Sequence, residues 1–141
     1  MKKLLPCVVG LGYVGLPVFI SLKKKFRVTG FDLNEERIKD LNKLIDTNNE
    51  YNKKELKLRN DSKITNNENE LKNCNFFIVT VPTPIKQNKL PDLKYIISAF
   101  KTISKYIKND DIVFLESTVF PGTTENICKK IIERKKKIKF H

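Results

Sequence analysis

The feature that most constrains this chain is a glycine-rich turn between an apolar segment and an amphipathic one. Residues 10–15 read Gly-Leu-Gly-Tyr-Val-Gly, and the apolar run at residues 4–9 before them predicts a buried strand. Asp32 ends a second apolar stretch, residues 26–31. A strand, a glycine-rich turn, a helix and a carboxylate about twenty residues further on are typical of dinucleotide-binding units. The sequence therefore predicts a dinucleotide site at this turn.

Each of these residues has a physical role in such a site. Gly10 permits the tight turn, Gly12 lacks the Cβ that would block a pyrophosphate, and Gly15 lets the helix pack closely on the sheet. The start of that helix offers unpaired N–H groups and a partial positive charge to phosphates. Asp32 can accept hydrogen bonds from a ribose 2′-hydroxyl and would repel a 2′-phosphate, which favours NAD over NADP.

Apolar segments and helical patterns alternate along the rest of the chain. Such alternation predicts one domain with an α/β fold of the Rossmann type: a doubly wound, mainly parallel sheet with helices on both faces. Asn34 and Asp92 are the expected helix caps. The expected buried strands cover residues 4–9, 26–31, 76–81 and 112–115, and the expected helices cover 14–24, 34–46, 93–107 and 123–136, with two short helices near 53–58 and 68–72 in the weakly patterned segment 47–75.

In such a sheet, ligands bind outside the carboxyl ends of the strands. The turn at residues 10–15, Asp32, and residues 81–84 and 117–122 all fall at that edge. We therefore expect four segments to converge on one site.

The charge and the apolar runs of the chain limit the classes of partner that we expect. The net charge of +12 invites a nucleic-acid interpretation, but the lysines are spread among Asn, Asp and Glu without a recognition motif, so we expect no nucleic-acid partner. Such a charge would instead help to attract an anionic dinucleotide and substrate. The basic, apolar N-terminus faintly resembles a leader peptide, but the glycines interrupt it, and no run reaches the ~20 apolar residues of a membrane span. We expect a cytoplasmic protein without membrane contact.

Cysteines and histidine offer no further site. The three cysteines are widely separated without metal-ligand spacing, and we expect Cys7 and Cys74 to be small buried hydrophobes. His141 is the last residue, and we assign it no role. No metal site is expected.

Four motifs follow one another along the chain. They are Gly-Leu-Gly-Tyr-Val-Gly-Leu-Pro at 10–17, Gly-Phe-Asp-Leu-Asn at 30–34 with Arg-Ile at 37–38, Val-Thr-Val-Pro-Thr-Pro-Ile at 79–85 with Pro-Asp-Leu at 91–93, and Glu-Ser-Thr-Val-Phe-Pro-Gly-Thr-Thr-Glu at 116–125. Together and in this order they resemble the N-terminal domain of the UDP-glucose/GDP-mannose (nucleotide-sugar) 6-dehydrogenase family. The third motif most resembles the branch that oxidises UDP-N-acetylhexosamines for surface polysaccharide. The resemblance implies oxidation of a sugar C6 alcohol to the carboxylate in two steps, with two NAD⁺.

The resemblance also implies roles for individual residues. Asp32 would hold the adenosine ribose, and Arg37 would flank that ribose or the adenine. Thr118 would be the catalytic residue, reaching the cofactor and the catalytic water. The other implied cofactor contacts are Gly10, Leu11, Gly12, Tyr13, Val14 and Gly15 around the pyrophosphate, Val81, Pro82, Thr83 and Pro84 on the nicotinamide side, and Ser117 with Thr118.

Structural alternatives exist for three of these residues. Thr83 could cap a turn, Arg37 could be a solvated helix residue, and Thr118 could satisfy a backbone group at a strand end.

The family's catalytic cysteine, lysine and further acids lie beyond the first domain. We therefore expect residues 1–141 to be an NAD-binding domain that ends before its last strand, without the central and C-terminal domains. It would act on a UDP-sugar only if those domains are supplied, and full-length relatives would be homo-oligomers. One alternative is a dinucleotide-binding or regulatory module without redox activity. Another is a different Rossmann oxidoreductase, but the two proline-containing motifs argue against it.

Overall fold

Five strands form one parallel sheet. The computed structural model describes residues 3–117 and 121–135. Its strands are β1 (Pro6–Val9), β2 (Thr29–Phe31), β3 (Lys63–Thr65), β4 (Phe76–Val79) and β5 (Ile112–Leu115). They lie in the order β3-β2-β1-β4-β5, and every neighbouring pair is parallel. The predicted α/β architecture is confirmed.

Helices connect successive strands and cover both faces of the sheet. Asn34 caps α2 as expected, because its side chain accepts a hydrogen bond from the backbone N–H of Arg37. Asp92 lies one residue before the cap position of α4, and its Oδ1 accepts from the backbone N–H of Lys94 at 3.1 Å. The helices are α1 (Gly15–Leu22), α2 (Glu35–Asn42), α3 (Lys53–Leu56), a 3₁₀ helix (Glu68–Asn73), α4 (Lys94–Ile103), a π-helical segment (Thr124–Cys128) and α5 (Lys129–Lys135).

The sheet separates two apolar cores. Phe19 and Leu41, from α1 and α2, are buried in one core, and Phe100 and Ile132, from α4 and α5, are buried in the other. Along β1 the side chains alternate between these cores, with Val8 in the first and Val9 in the second. A strand buried on both faces explains the uninterrupted apolar run that predicted it.

The segment 47–75 contains a strand that the sequence did not predict. β3 has only one buried apolar residue, Ile64, between Lys63 and Thr65. Three residues with one apolar side chain give too little alternation to detect. The two short helices predicted in this segment are present, the second as a 3₁₀ helix.

Several predicted boundaries and one burial assignment are wrong. The helices α1, α2 and α4 end at Leu22, Asn42 and Ile103, short of the predicted residues 24, 46 and 107, and β2 begins at Thr29 rather than at residue 26. Leu44 has a φ of 61°, which cannot continue a helix. β5 was expected to be buried, but Ile112 and Phe114 are 53% and 52% exposed. It is an edge strand of the described sheet, with only its other face packed.

Among the described residues, no helix combines the length and apolarity that crossing a membrane requires.

Candidate dinucleotide-binding site

The strand register brings the predicted segments to one edge of the sheet. Val9 pairs with Phe31 on one side and with Val79 on the other, and Val79 pairs with Leu115. The residues that follow these strands therefore emerge side by side. A cavity of about 510 Å³ opens at this edge, between the glycine-rich turn, the start of α2 and one face of α4. The predicted residues that line it are Gly10, Leu11, Gly12, Tyr13, Asp32, Arg37, Val81 and Pro82.

The turn is held against β4 by close backbone packing. Gly10 has a φ of +98°, a conformation that L side chains rarely adopt. The Thr80 hydroxyl donates to the Gly10 carbonyl at 2.8 Å. A Cβ on Gly15 would lie 1.7 Å from the Gly10 oxygen and 2.5 Å from the Thr80 Oγ1. Gly10 and Gly15 are therefore required by the protein's own packing.

Gly12 differs from these two glycines. A Cβ built on Gly12 meets nothing within 4 Å, and its φ lies outside the left-handed range. Neither packing nor backbone conformation explains a glycine here. Because Gly12 lies on the cavity wall, the space that its side chain would fill is open to a ligand. A pyrophosphate that approaches the backbone fits this space, so the residues present fit a dinucleotide.

Asp32 is fixed by two backbone N–H groups. Its Oδ2 accepts from Leu11 at 2.7 Å, and its Oδ1 accepts from Asn34 at 2.9 Å. Each carboxylate oxygen keeps a free acceptor site, since each has about two lone-pair positions. Because Asp32 lies on the cavity wall, these acceptor sites suit the hydroxyl donors of a ligand.

Arg37 also lines the cavity, but it is not a solvated helix residue. It is buried, its Nε donates to the Leu11 carbonyl at 2.8 Å, and its Nη1 donates to Asp46 at 2.8 Å and to the Thr47 hydroxyl at 3.0 Å. Nη2 is buried without a partner in the described part of the chain.

Six predicted site residues are not among the described residues that line the cavity. Val14 and Gly15 begin α1 beside the turn; no side chain caps this helix start. The Ser117 hydroxyl donates to the Val81 carbonyl at 2.6 Å and so ties the segment after β5 to the cavity wall. Thr118, the predicted catalytic residue, lies outside the described residues. Thr83 and Pro84 follow Pro82 without lining the cavity.

Several lining residues were not predicted. Tyr95, on α4, lines the cavity, as do Thr47 and Asn48 in the turn after α2. Thr80 was hidden within an apolar strand motif, although a buried hydroxyl beside a glycine turn is a usable signal. The Asn-rich composition around Thr47 resembles an ordinary surface loop.

The cysteines lie away from this cavity. Cys74 lines a separate cavity with Pro6 and Lys63, the first residues of β1 and β3, so it is at the opposite edge of the sheet. Burial, together with the neighbouring Cys74 thiol, raises the pKa of Cys7, while a hydrogen bond with Cys7 lowers the pKa of Cys74. Burial raises the pKa of Cys128 to about 11. A nucleophilic thiolate at the cavity is therefore not supplied by these residues.

Among residues 3–117 and 121–135, no group of three or more His, Cys, Asp or Glu side chains is placed to hold a metal ion.

A parallel sheet with a glycine-rich turn, an acidic residue after the second strand and a cavity at their shared edge defines a Rossmann-type dinucleotide-binding domain. Residues 5–141 match the profile of the UDP-glucose/GDP-mannose dehydrogenase family, NAD binding domain. The chain belongs to this family, and NAD is the cofactor of this domain.

Individual relatives agree with this assignment. The chain is 46% identical over its whole length to UDP-N-acetyl-D-glucosamine 6-dehydrogenase from Pseudomonas aeruginosa, of which it covers 33%. It is 44% identical over 90% of its length to the enzyme of the same name from Salmonella typhi, of which it covers 30%. The solved structure of UDP-D-ManNAc dehydrogenase from Pyrococcus horikoshii superposes with a TM-score of 0.88 at 30% identity, covering 97% of this chain and 34% of that one. The chain thus spans about a third of the length of the relatives it matches.

Proposed function

We propose that NAD binds in this cavity with its pyrophosphate against Gly12, and that the chain supplies this site to a nucleotide-sugar 6-dehydrogenase. The observation that carries the proposal is the open space at Gly12 beside the fixed carboxylate of Asp32. Together they provide a place for a phosphate and, next to it, an acceptor for a ribose. NAD, when bound, supplies the hydride acceptor for oxidation of a sugar alcohol.

The glycine-rich turn would bind the pyrophosphate through its backbone. Residues 11–15 lead into α1, whose uncapped N-terminus carries a partial positive charge. Leu11 is buried in the core and Tyr13 is largely exposed, and both residues border the cavity. The role of Val14 and Gly15 would be to orient the helix start.

Asp32 would select NAD over NADP. The free acceptor positions on its carboxylate suit the two hydroxyls of the adenosine ribose. A 2′-phosphate in the same place would bring two negative groups together at the wall of a cavity, where their repulsion is stronger than in bulk water. Arg37 lies beside Leu11 on the same wall and would flank this half of the cofactor.

The nicotinamide half would extend toward the end of β4. Val81 and Pro82 line this part of the cavity, and Thr83 and Pro84 continue from them. Ser117 would support this wall through its bond to Val81. Thr118, the residue that follows, is our proposal for the group that contacts the reacting end of the cofactor.

The substrate would be a UDP-N-acetylhexosamine, because the relatives named above are UDP-N-acetyl-D-glucosamine and UDP-D-ManNAc dehydrogenases. None of the described residues lining the cavity is a cysteine or a histidine. The covalent and acid–base groups would therefore come from the part of the relatives that this chain does not match. We place the reaction in the cytoplasm, and we expect homo-oligomers of the complete protein.

The 141-residue chain alone should show no turnover. Without a surface that holds the sugar at reacting distance, the reaction loses a proximity contribution of about 7–11 kcal/mol. The measurement is NADH absorbance with UDP-N-acetylglucosamine, UDP-N-acetylgalactosamine and UDP-glucose. Substrate-dependent NADH that disappears with Thr118→Ala would contradict this proposal.

A chimera tests the proposal directly. This chain would replace the matching N-terminal third of the Pseudomonas aeruginosa enzyme. The chimera should form NADH with UDP-N-acetylglucosamine, and Gly12→Val within it should abolish that activity. A folded chimera that binds NAD but never reduces it would favour the alternative of a binding module without redox activity.

A further inference from the structure

A buried carboxylate in the turn after α2 is bonded more extensively than a turn residue requires. The Asp46 side chain is completely buried. Its Oδ1 accepts from Arg37 at 2.8 Å and from the backbone N–H of Asn48 at 3.1 Å. Its Oδ2 accepts from the backbone N–H groups of Glu50 and Tyr51 at 2.9 and 3.1 Å. Four donors therefore fix both oxygens of this carboxylate.

The carboxylate in turn fixes the guanidinium of Arg37. Nη1 is held by Asp46 and by the Thr47 hydroxyl, which leaves the planar group little freedom to rotate. With the plane set in this way, Nε donates to the Leu11 carbonyl at 2.8 Å. Asp46 itself does not line the cavity, whereas Arg37, Thr47 and Leu11 do.

The backbone N–H and the carbonyl of Leu11 are consequently both held by hydrogen bonds. Its backbone N–H donates to Asp32 at 2.7 Å, and its carbonyl accepts from Arg37. Both contacts come from the segment that begins where β2 ends. They orient the peptide groups on either side of Leu11, one of which leads directly into Gly12.

We propose that Asp46 is a positioning residue for the adenosine half of the dinucleotide, acting through Arg37. It locks the guanidinium so that Nε holds the glycine-rich turn and Arg37 stays on the cavity wall. This inference rests on the proposed NAD site and adds a residue to it that lies outside the four sequence motifs.

The unpaired nitrogen of Arg37 supports this role. Nη2 is the only buried side-chain nitrogen or oxygen atom without a hydrogen-bond partner in the described part of the chain. A buried donor without a partner destabilises the protein. Arg37 therefore keeps a buried, partly unsatisfied guanidinium at a cost in stability, which is expected of a group held in place for a site rather than for the fold.

A double-mutant cycle tests the proposal. Binding of NAD and of ADP-ribose, which lacks the nicotinamide, would be measured by calorimetry for the wild type, Asp46→Asn, Arg37→Met and the double variant. We expect Asp46→Asn to raise both dissociation constants about tenfold when Arg37 is present and less than about twofold when it is replaced. Asp61→Asn is the matched control, because Asp61 is an exposed turn residue with a φ of 56°, which asparagine tolerates, and it should bind as the wild type does.

The outcomes separate this inference from the proposed function. An equal loss in both Arg37 backgrounds, or no loss for Asp46→Asn, would overturn the positioning role while the NAD site stands. A wild-type chain that binds neither ligand would instead overturn the proposed function. If Asp46→Asn fails to fold, Thr47→Val removes the other acceptor of Nη1 and should weaken ADP-ribose binding only where Arg37 is present; the same loss with Arg37→Met would refute the inference.

Discussion

Gly12 and Gly15 should respond in opposite ways to the same substitution. Gly12→Ala places a methyl group in open space, so the folded chain should tolerate it. Replacing glycine by alanine where the backbone allows it stabilises a protein by about 0.4–1 kcal/mol through the unfolded state. For a chain of this size that is a rise in Tm of about 1–4 °C.

Gly15→Ala should destabilise the fold. Its Cβ would lie 1.7 Å from the backbone oxygen of Gly10, which cannot move without shifting the turn. Alanine gains about 1 kcal/mol in helix propensity, but overpacking of this kind costs about 1–3 kcal/mol or more, so the clash prevails. Thermal unfolding of the ligand-free chains should place Gly15→Ala below the wild type and Gly12→Ala at or above it.

Gly12→Ala, the more stable of the two variants, should bind NAD less tightly than the wild type does. The methyl group of Gly12→Ala occupies the proposed pyrophosphate space, and each charge-assisted hydrogen bond lost there raises the dissociation constant about 10- to 150-fold. Gly12→Val should abolish binding. Calorimetric titration measures both. Wild-type affinity in Gly12→Val would show that the pyrophosphate does not bind at this turn, and a marked loss of Tm in Gly12→Ala would refute the packing argument.

Three further predictions concern carboxylates and thiols. Asp32→Ala should weaken NAD binding by about 1.5–3 kcal/mol, and the wild type should bind NADP less tightly than NAD; equal or tighter NADP binding by calorimetry would contradict the role of Asp32. Burial opposes ionisation of Asp46, but the hydrogen bonds from the Arg37 guanidinium and the backbone outweigh burial and lower the pKa of this carboxyl. The contribution of Asp46 to stability should therefore be complete above the unfolded pKa of about 3.9 and lost as the pH falls through the folded pKa. Urea unfolding should therefore separate wild type from Asp46→Asn more at pH 7 than at pH 3, and an unchanged difference would be inconsistent with this. Iodoacetamide at pH 8 should alkylate Cys74, which borders a cavity and whose pKa is lowered, before Cys128, which is completely buried and whose pKa is raised to about 11; mass spectrometry that finds Cys128 modified first would reverse this assignment.

Local chemistry made much of the fold predictable. The cap at Asn34 and the apolar runs of β1 and β4 depend on nearby residues or on burial from both faces, and both signals are visible in the sequence. β3 was missed because its single apolar residue, Ile64, contributes to a core assembled by other segments. The burial of β5 was misjudged because an edge strand and an interior strand have the same apolar composition.

The candidate site also contains residues that the sequence identified and one that it could not. Gly12 and Asp32 were identified because their spacing from a strand has a direct physical meaning. Asp46 could not be identified, since a buried carboxylate and an exposed turn aspartate look alike among asparagines. Its importance depends on contacts with Arg37 and with three backbone N–H groups, and these exist only after the turn has folded.

A crystal structure of the chain soaked with NAD tests the central claim most directly. We expect the pyrophosphate against the backbone at Gly12 and a ribose hydroxyl within hydrogen-bond distance of the Asp32 carboxylate. NAD bound at another place, such as the cavity lined by Cys74 and Lys63 at the opposite edge of the sheet, would contradict the account.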